Sequence, residues 1–186
     1  LFLRKRCESR RTQKRWPCSR RHTKGKLAPS SCAVFVRFMT KPYPTLIPGL
    51  RSPYEMVGGI VYFGRMLDKI RLCAEGKLPD EWATMVGDSH AGSFDSRCCH
   101  FLGIDYADLT SETLKGGSDD ELLAWAFAKG RKPDLEDIEV WNGFMTKRGW
   151  RDTASQRVRE RLKEIGLEPG TVETMFDFID LDEGRR

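Results

Sequence analysis

The feature that most constrains this chain is a repeated local grammar: short apolar-periodic segments with a helix-capping residue in front and, in most cases, a glycine behind. Ser118 with Glu121 forms a Ser-x-x-Glu box that opens DDELLAWAFAK, which stops at Gly130. Asp134 with Asp137 opens LEDIEVWNGFMTKR up to Gly149, and Asp152 caps TASQRVRERLKEI up to Gly166. Asp95 is expected to cap SRCCHFLG, Asp105 to cap YADLTSETLK before Gly116 and Gly117, and Thr171 to open VETMFDFID. Each cap satisfies backbone N–H groups that a helix end leaves orphaned, and each glycine supplies the left-handed residue that ends a helix cheaply. No stretch alternates with the two-residue period of a half-buried strand. The expected fold is all-α, a compact bundle of about six or seven short helices, with no repeat of constant period. Leu122, Leu123, Trp125, Ala126 and Phe127 are nearly continuous in hydrophobicity, which predicts that their helix is central.

One segment breaks the grammar. In SPYEMVGGIVYFGRMLDKIRLC, Ser52, Pro53 and Glu55 read as a helix start, and Met56, Ile60, Phe63, Leu67, Ile70 and Ala74 fall on one helical face. Yet Gly58, Gly59 and Gly64 lie inside that helix, each costing up to about 1 kcal/mol against alanine. Bare backbone is useful where another chain or a ligand approaches closely. The helix is therefore expected to be packed on more than one side. Arg65, Asp68, Lys69 and Arg71 fall away from the apolar face at spacings that suit surface ion pairs. The proline-rich lead-in KPYPTLIPGLRSP is expected to dock Leu46, Ile47 and Leu50 on the core.

Charge divides the chain in two. Residues 1–38 carry 12 Lys or Arg and one acid, Glu8, a net +11; the remaining residues carry 20 basic against 26 acidic side chains, a net −6, and together they make the overall +5. The leader lacks the apolar residues that offset ordering entropy, so it is expected to be disordered. Its first residue is leucine, and ordinary composition begins at Met39, so it is read as non-native upstream translation, ahead of a cationic nucleic-acid tail and an organelle transit peptide. Nucleic-acid binding is not expected unless that leader is native. The domain is then residues 39–186, with three cysteines, Cys73, Cys98 and Cys99, an odd number that fits a reducing cytoplasm. No apolar run reaches the roughly 18 residues of a membrane helix.

Several chemical motifs fail on spacing. GDSHAG, residues 87–92, resembles the Gly-Asp-Ser nucleophile block of SGNH-type hydrolases, but that chemistry needs a strand-to-helix turn and a later histidine base, and no histidine follows His100. Cys98 and Cys99 are adjacent, so on a helix they point about 100° apart and do not chelate one ion together. No metal and no cofactor is expected.

Three segments, LRSPYEMVGGIVYFGRMLDKIRLCAEGKLP, FDSRCCHFLGIDY and IEVWNGFMTKRGWRDTAS, resemble the signature segments of a bacterial family of uncharacterised proteins, domain of unknown function 5069. The resemblance runs from Leu46 to the C-terminus. It implies a single bacterial domain and brings no activity, cofactor or catalytic residue with it.

The candidate site residues come from the sequence itself. Arg65, Arg71, Arg97, Arg148 and Arg151, with Trp141 and Trp150, are the candidates for an anion site, since guanidinium groups bind carboxylate or phosphate and tryptophan offers a flat wall. Cations near a helix C-terminus, as in MTKRGWRD, also complement the helix dipole without any ligand. The expected function is a non-catalytic binding or interaction module for a small anionic ligand or a protein partner. The alternative is a small enzyme using Asp68, Asp95 or His100 as acid or base beside an arginine-lined pocket.

Overall fold

A computed structural model of the chain describes residues 43–79, 82, 86–87 and 92–186. The expectations for the basic leader and for Asp88, Ser89 and His90 of GDSHAG lie outside these residues. Among the described residues there are seven helices and one two-stranded hairpin, so the all-α expectation holds.

The segment with the three glycines folds differently from its expected helix. Ser52 to Glu55 form a turn in which the Ser52 N–H donates to Glu55 Oε1 at 3.2 Å and the Tyr54 N–H donates to Ser52 Oγ at 3.2 Å. The hydrogen bonds of a capping sequence are present, but no helix follows. Instead β1 (Met56–Val57) pairs antiparallel with β2 (Ile60–Val61), with Val57 opposite Ile60. The two-residue turn between them has φ of +55° at Gly58 and +81° at Gly59, the paired left-handed geometry that favours glycine. Helix α1 (Phe63–Ala74) starts only after Tyr62, a non-glycine residue with φ +73°.

Buried residues surround α1 on every side: Phe63, Met66, Leu67, Ile70 and Leu72, together with Gly64, Arg65, Asp68 and Lys69. It, and not the Leu122–Phe127 segment, is the central helix. The expected packing on more than one side is what is found, and Gly64 shows why a glycine is needed there. A Cβ at that position would lie 2.5 Å from Arg51 Nη1 and 2.9 Å from Val57 Cγ2. At Gly58 a Cβ would meet Leu123 Cδ2 at 2.3 Å.

Six more helices wrap this core: α2 (Phe94–Leu102), α3 (Tyr106–Thr113), α4 (Asp119–Lys129), α5 (Leu135–Lys147), α6 (Ser155–Glu164) and α7 (Met175–Asp182). Helix α1 packs on α3, α5 on β2 and α7, and α6 on α7. Both expected capping boxes form, Ser118 with Glu121 and Asp134 with Asp137. Three other starts shift. Ser93, not Asp95, caps α2 by accepting from the Ser96 N–H, and Asp95 lies buried in the first turn. Asp152 accepts from the Ala154 N–H in the turn before α6, whose N-cap is Ala154. Thr174, not Thr171, caps α7. Helix α5 ends at a C-cap on Arg148, one residue before Gly149. Of the lead-in residues, Ile47 and Leu50 are buried with Leu72 and Trp82, while Leu46 is exposed.

Candidate functional site

Four charged residues of α1 account for much of the polar architecture. Arg65 is 2% exposed and forms a two-pronged ion pair with Glu183, which is 1% exposed, while a further N–H donates to the Arg51 carbonyl at 2.7 Å. Asp68 accepts from Arg51 Nε at 2.6 Å and Nη2 at 2.7 Å. Arg71 pairs with Asp119 at 2.8 Å, and Arg51 reaches the same carboxylate at 2.7 Å. Of the expected local pairs, Asp68 with Arg71 is present at 3.8 Å. Arg65 has turned inward to a partner 118 residues away instead.

Lys69 belongs to a second buried group. Its ammonium donates to Asp95 Oδ1 and to Tyr62 Oη at 3.0 Å; the Tyr62 hydroxyl donates to Asp95 Oδ1 at 2.9 Å. The Gly87 N–H donates to Asp95 Oδ2 at 2.8 Å, and Ser93 Oγ donates to the Gly87 carbonyl at 2.9 Å. Burial lowers the pKa of Lys69, with the Asp95 charge opposing it. Burial and the same carboxylate push the Tyr62 phenol well above its ordinary value. Asp95 is thus an anchor for the chain at Gly87, and the left-handed conformation of Tyr62 delivers its hydroxyl to that anchor.

An open groove of about 700 Å³ lies on another face, lined by Gly92, Ser96, Arg97 and His100 with Phe101, Arg131, Trp141 and Phe144. Phe101 and Trp141 stack with ring centroids 4.6 Å apart and planes 11° apart. Trp141 is fixed by donating its indole N–H to the Val61 carbonyl at 3.3 Å. Arg131 lies 5.1 Å over the Phe101 ring, donates from Nε to the Phe101 carbonyl at 2.8 Å, and pairs with Asp137 at 3.2 Å. Arg97 lies 5.4 Å over Phe144 and donates from Nε to the Gly92 carbonyl at 2.9 Å. Among the described residues no carboxylate pairs with Arg97. Arg148 approaches Phe144 at 5.7 Å but is tied to Asp152 at 2.5 Å.

A smaller cavity of about 340 Å³ involves Trp150, Arg151, Ser155, Arg159 and Glu173. Arg151 has φ +51° and lies 5.1 Å over the Trp150 ring.

The sequence-derived site residues therefore divide among separate places. Arg97, Trp141 and His100 meet in the large groove, with Arg148 at its Phe144 edge; Trp150 and Arg151 meet in the small cavity; Arg65, Arg71, Asp68 and Asp95 hold the interior and its rim together. Sequence reasoning missed Arg131, Phe101 and Phe144. The first two are signalled only by a contact 30 residues apart, and Phe144 reads as one more apolar position in a helix. Among the described residues no group of three or more His, Cys, Asp or Glu side chains gathers as metal ligands would.

Fold and site together define a small all-α domain with an arginine- and aromatic-lined surface groove. The chain belongs to the family described as Domain of unknown function (DUF5069), whose model matches residues 47–185. A search of curated proteins finds no match. Among the described residues no helix is long and apolar enough to cross a membrane.

Proposed function

We propose that this domain is a non-catalytic binding module whose large groove receives a small anionic ligand. The observation that carries this reading is the state of Arg97. Its Nε is held by the Gly92 carbonyl and its guanidinium carbon lies 5.4 Å over the Phe144 ring, so the guanidinium is oriented before any ligand arrives. A fork fixed in this way loses little entropy on binding an oxyanion. Ser96 and His100 add hydrogen-bonding groups from the same helix, and among the described residues no acidic side chain lines the groove.

The catalytic alternative draws on Asp68, Asp95 and His100. Asp68 is engaged by Arg51, and Asp95 by Lys69, Tyr62 and Gly87, so neither carboxylate is placed to exchange a proton with a ligand in the groove. His100 lines the groove, and its imidazole has no hydrogen-bond partner among the described residues. These placements favour binding over acid–base chemistry. Among the described residues the three cysteines, Cys73, Cys98 and Cys99, are free and two of them are buried, which fits a reducing cytoplasm.

The test is a thermal-shift screen of anionic metabolites on residues 39–186, repeated on Arg97→Gln. A ligand that binds the native state raises the melting temperature. The expected result is at least one anion whose shift largely disappears in the variant. Hits whose shifts are equal in both proteins would place recognition elsewhere, and a screen without hits would favour a protein partner over a small molecule.

A further inference from the structure

Charge bookkeeping in the groove narrows the ligand. Resting on the proposed binding role, we infer that the groove is built for a monoanionic aryl carboxylate and discriminates against phosphate dianions. Three guanidinium groups surround the aromatic wall, but two are already neutralised: Arg131 by Asp137 at 3.2 Å and Arg148 by Asp152 at 2.5 Å. Of the three, only Arg97 has no carboxylate partner among the described residues, and among those residues it is the uncompensated guanidinium beside the wall. Its Nε is occupied by the Gly92 carbonyl. Of the four N–H groups that remain, the end-on pair from Nη1 and Nη2 meets the two coplanar oxygens of a carboxylate. A phosphate dianion carries twice the charge and a third acceptor oxygen, so one guanidinium neutralises it only in part.

The ligand body follows from the wall. Phe101 and Trp141 form a stacked pair at 4.6 Å, and Phe144, 42% exposed, borders Arg97 directly. Trp141 and Arg131 already cover Phe101, so an aromatic ring joined to the carboxylate would pack edge-on against Phe144 and the rim of the stacked pair while its oxygens meet the fork. A groove of about 700 Å³ lies within the range that holds such molecules.

Probes for the test are 2-naphthoate, 2-naphthyl phosphate and 2-naphthylmethanol at pH 8, where the phosphate monoester is a dianion. Titrations are followed through the amide resonances of Ser96, Arg97, Phe101 and Arg131. The expected result is saturable binding of the naphthoate, at least about threefold tighter than the phosphate, and loss of about tenfold in Arg97→Gln, the weight of one charge-assisted contact. Asp137→Asn keeps an acceptor for the α5 cap but releases Arg131, so it should shift the preference toward the phosphate by about threefold or more. Unchanged amide resonances in α1 and in the second half of α5 would show the fold intact. A wild-type preference for the phosphate, or a preference unmoved by Asp137→Asn, would overturn this inference while leaving an anion groove in place. Equal binding of the alcohol, or no response to any probe, would sink both the inference and the proposed function beneath it.

Discussion

At the scale of single residues, Gly64 shows how a position that weakens a helix can be required by the fold. The guanidinium of Arg51 passes over α1 at this point on its way to Asp68 and Asp119, and only bare backbone leaves it room. Alanine would gain about 1 kcal/mol of helix propensity, yet it would push on Arg51 and Val57 together. Overpacking of this kind costs typically 1–3 kcal/mol. Gly64→Ala is expected to lower stability by up to about 2 kcal/mol net in urea denaturation, and the penalty should shrink in an Arg51→Ala background. Additive losses in the two variants would show that Arg51 is not the obstacle. In sequence, Gly64 pointed to close approach, but nothing in the chain named the arriving group, because Arg51 lies in a proline-rich lead-in without periodicity.

At the scale of elements, the helices were legible and the hairpin was not. Ser118 with Glu121 and Asp134 with Asp137 announce α4 and α5 because both partners of each cap lie within four residues, so the local sequence contains the whole interaction. Met56 to Val61 satisfies a helical period, and two strands of two residues are too short to alternate. The distinguishing signal was Gly58-Gly59, a dipeptide suited to a two-residue hairpin turn. The groove was half legible: Arg97, His100 and Trp141 were candidates, whereas Arg131 enters only through tertiary contacts with Phe101 and Asp137. The start of α4 also joins α1 electrostatically through Asp119. Burial alone would raise the pKa of this carboxyl, but hydrogen bonds from Arg71 and Arg51 hold it below its ordinary value of 3.8. A folded-state pKa depressed in this way contributes stability that is present above the unfolded value and is lost as pH falls through the folded one. Asp119→Asn should therefore lower stability at neutral pH and flatten its decline below about pH 4. Urea midpoints measured from about pH 2.5 to 6 check this; parallel curves for both proteins would refute it.

At the scale of the whole molecule, α1 is a charged helix enclosed by the fold, and its neutralising partners come from distant parts of the chain: Arg51, Asp95, Asp119 and Glu183. Removing one member of a buried pair strands the other charge, at a cost of about 3–5 kcal/mol, whereas replacing both with apolar groups is often neutral or stabilising. Glu183→Ala should destabilise by that order in urea or heat denaturation, and the double change Arg65→Met with Glu183→Met should recover most of the loss. A double variant as unstable as the single one would mean that the pair does more than cancel charge, for instance by ordering Arg185, which also bonds to Glu183 and to the Leu50 carbonyl.

Enclosing a helix of this kind has a consequence for how the chain is made. Arg65 leaves the ribosome 118 residues before Glu183, and until that acid emerges the interior cannot be dehydrated without stranding a cation. The surroundings of Arg65 are therefore expected to keep their water until residue 183 has been made, so that burial of the central rod follows synthesis and does not accompany it.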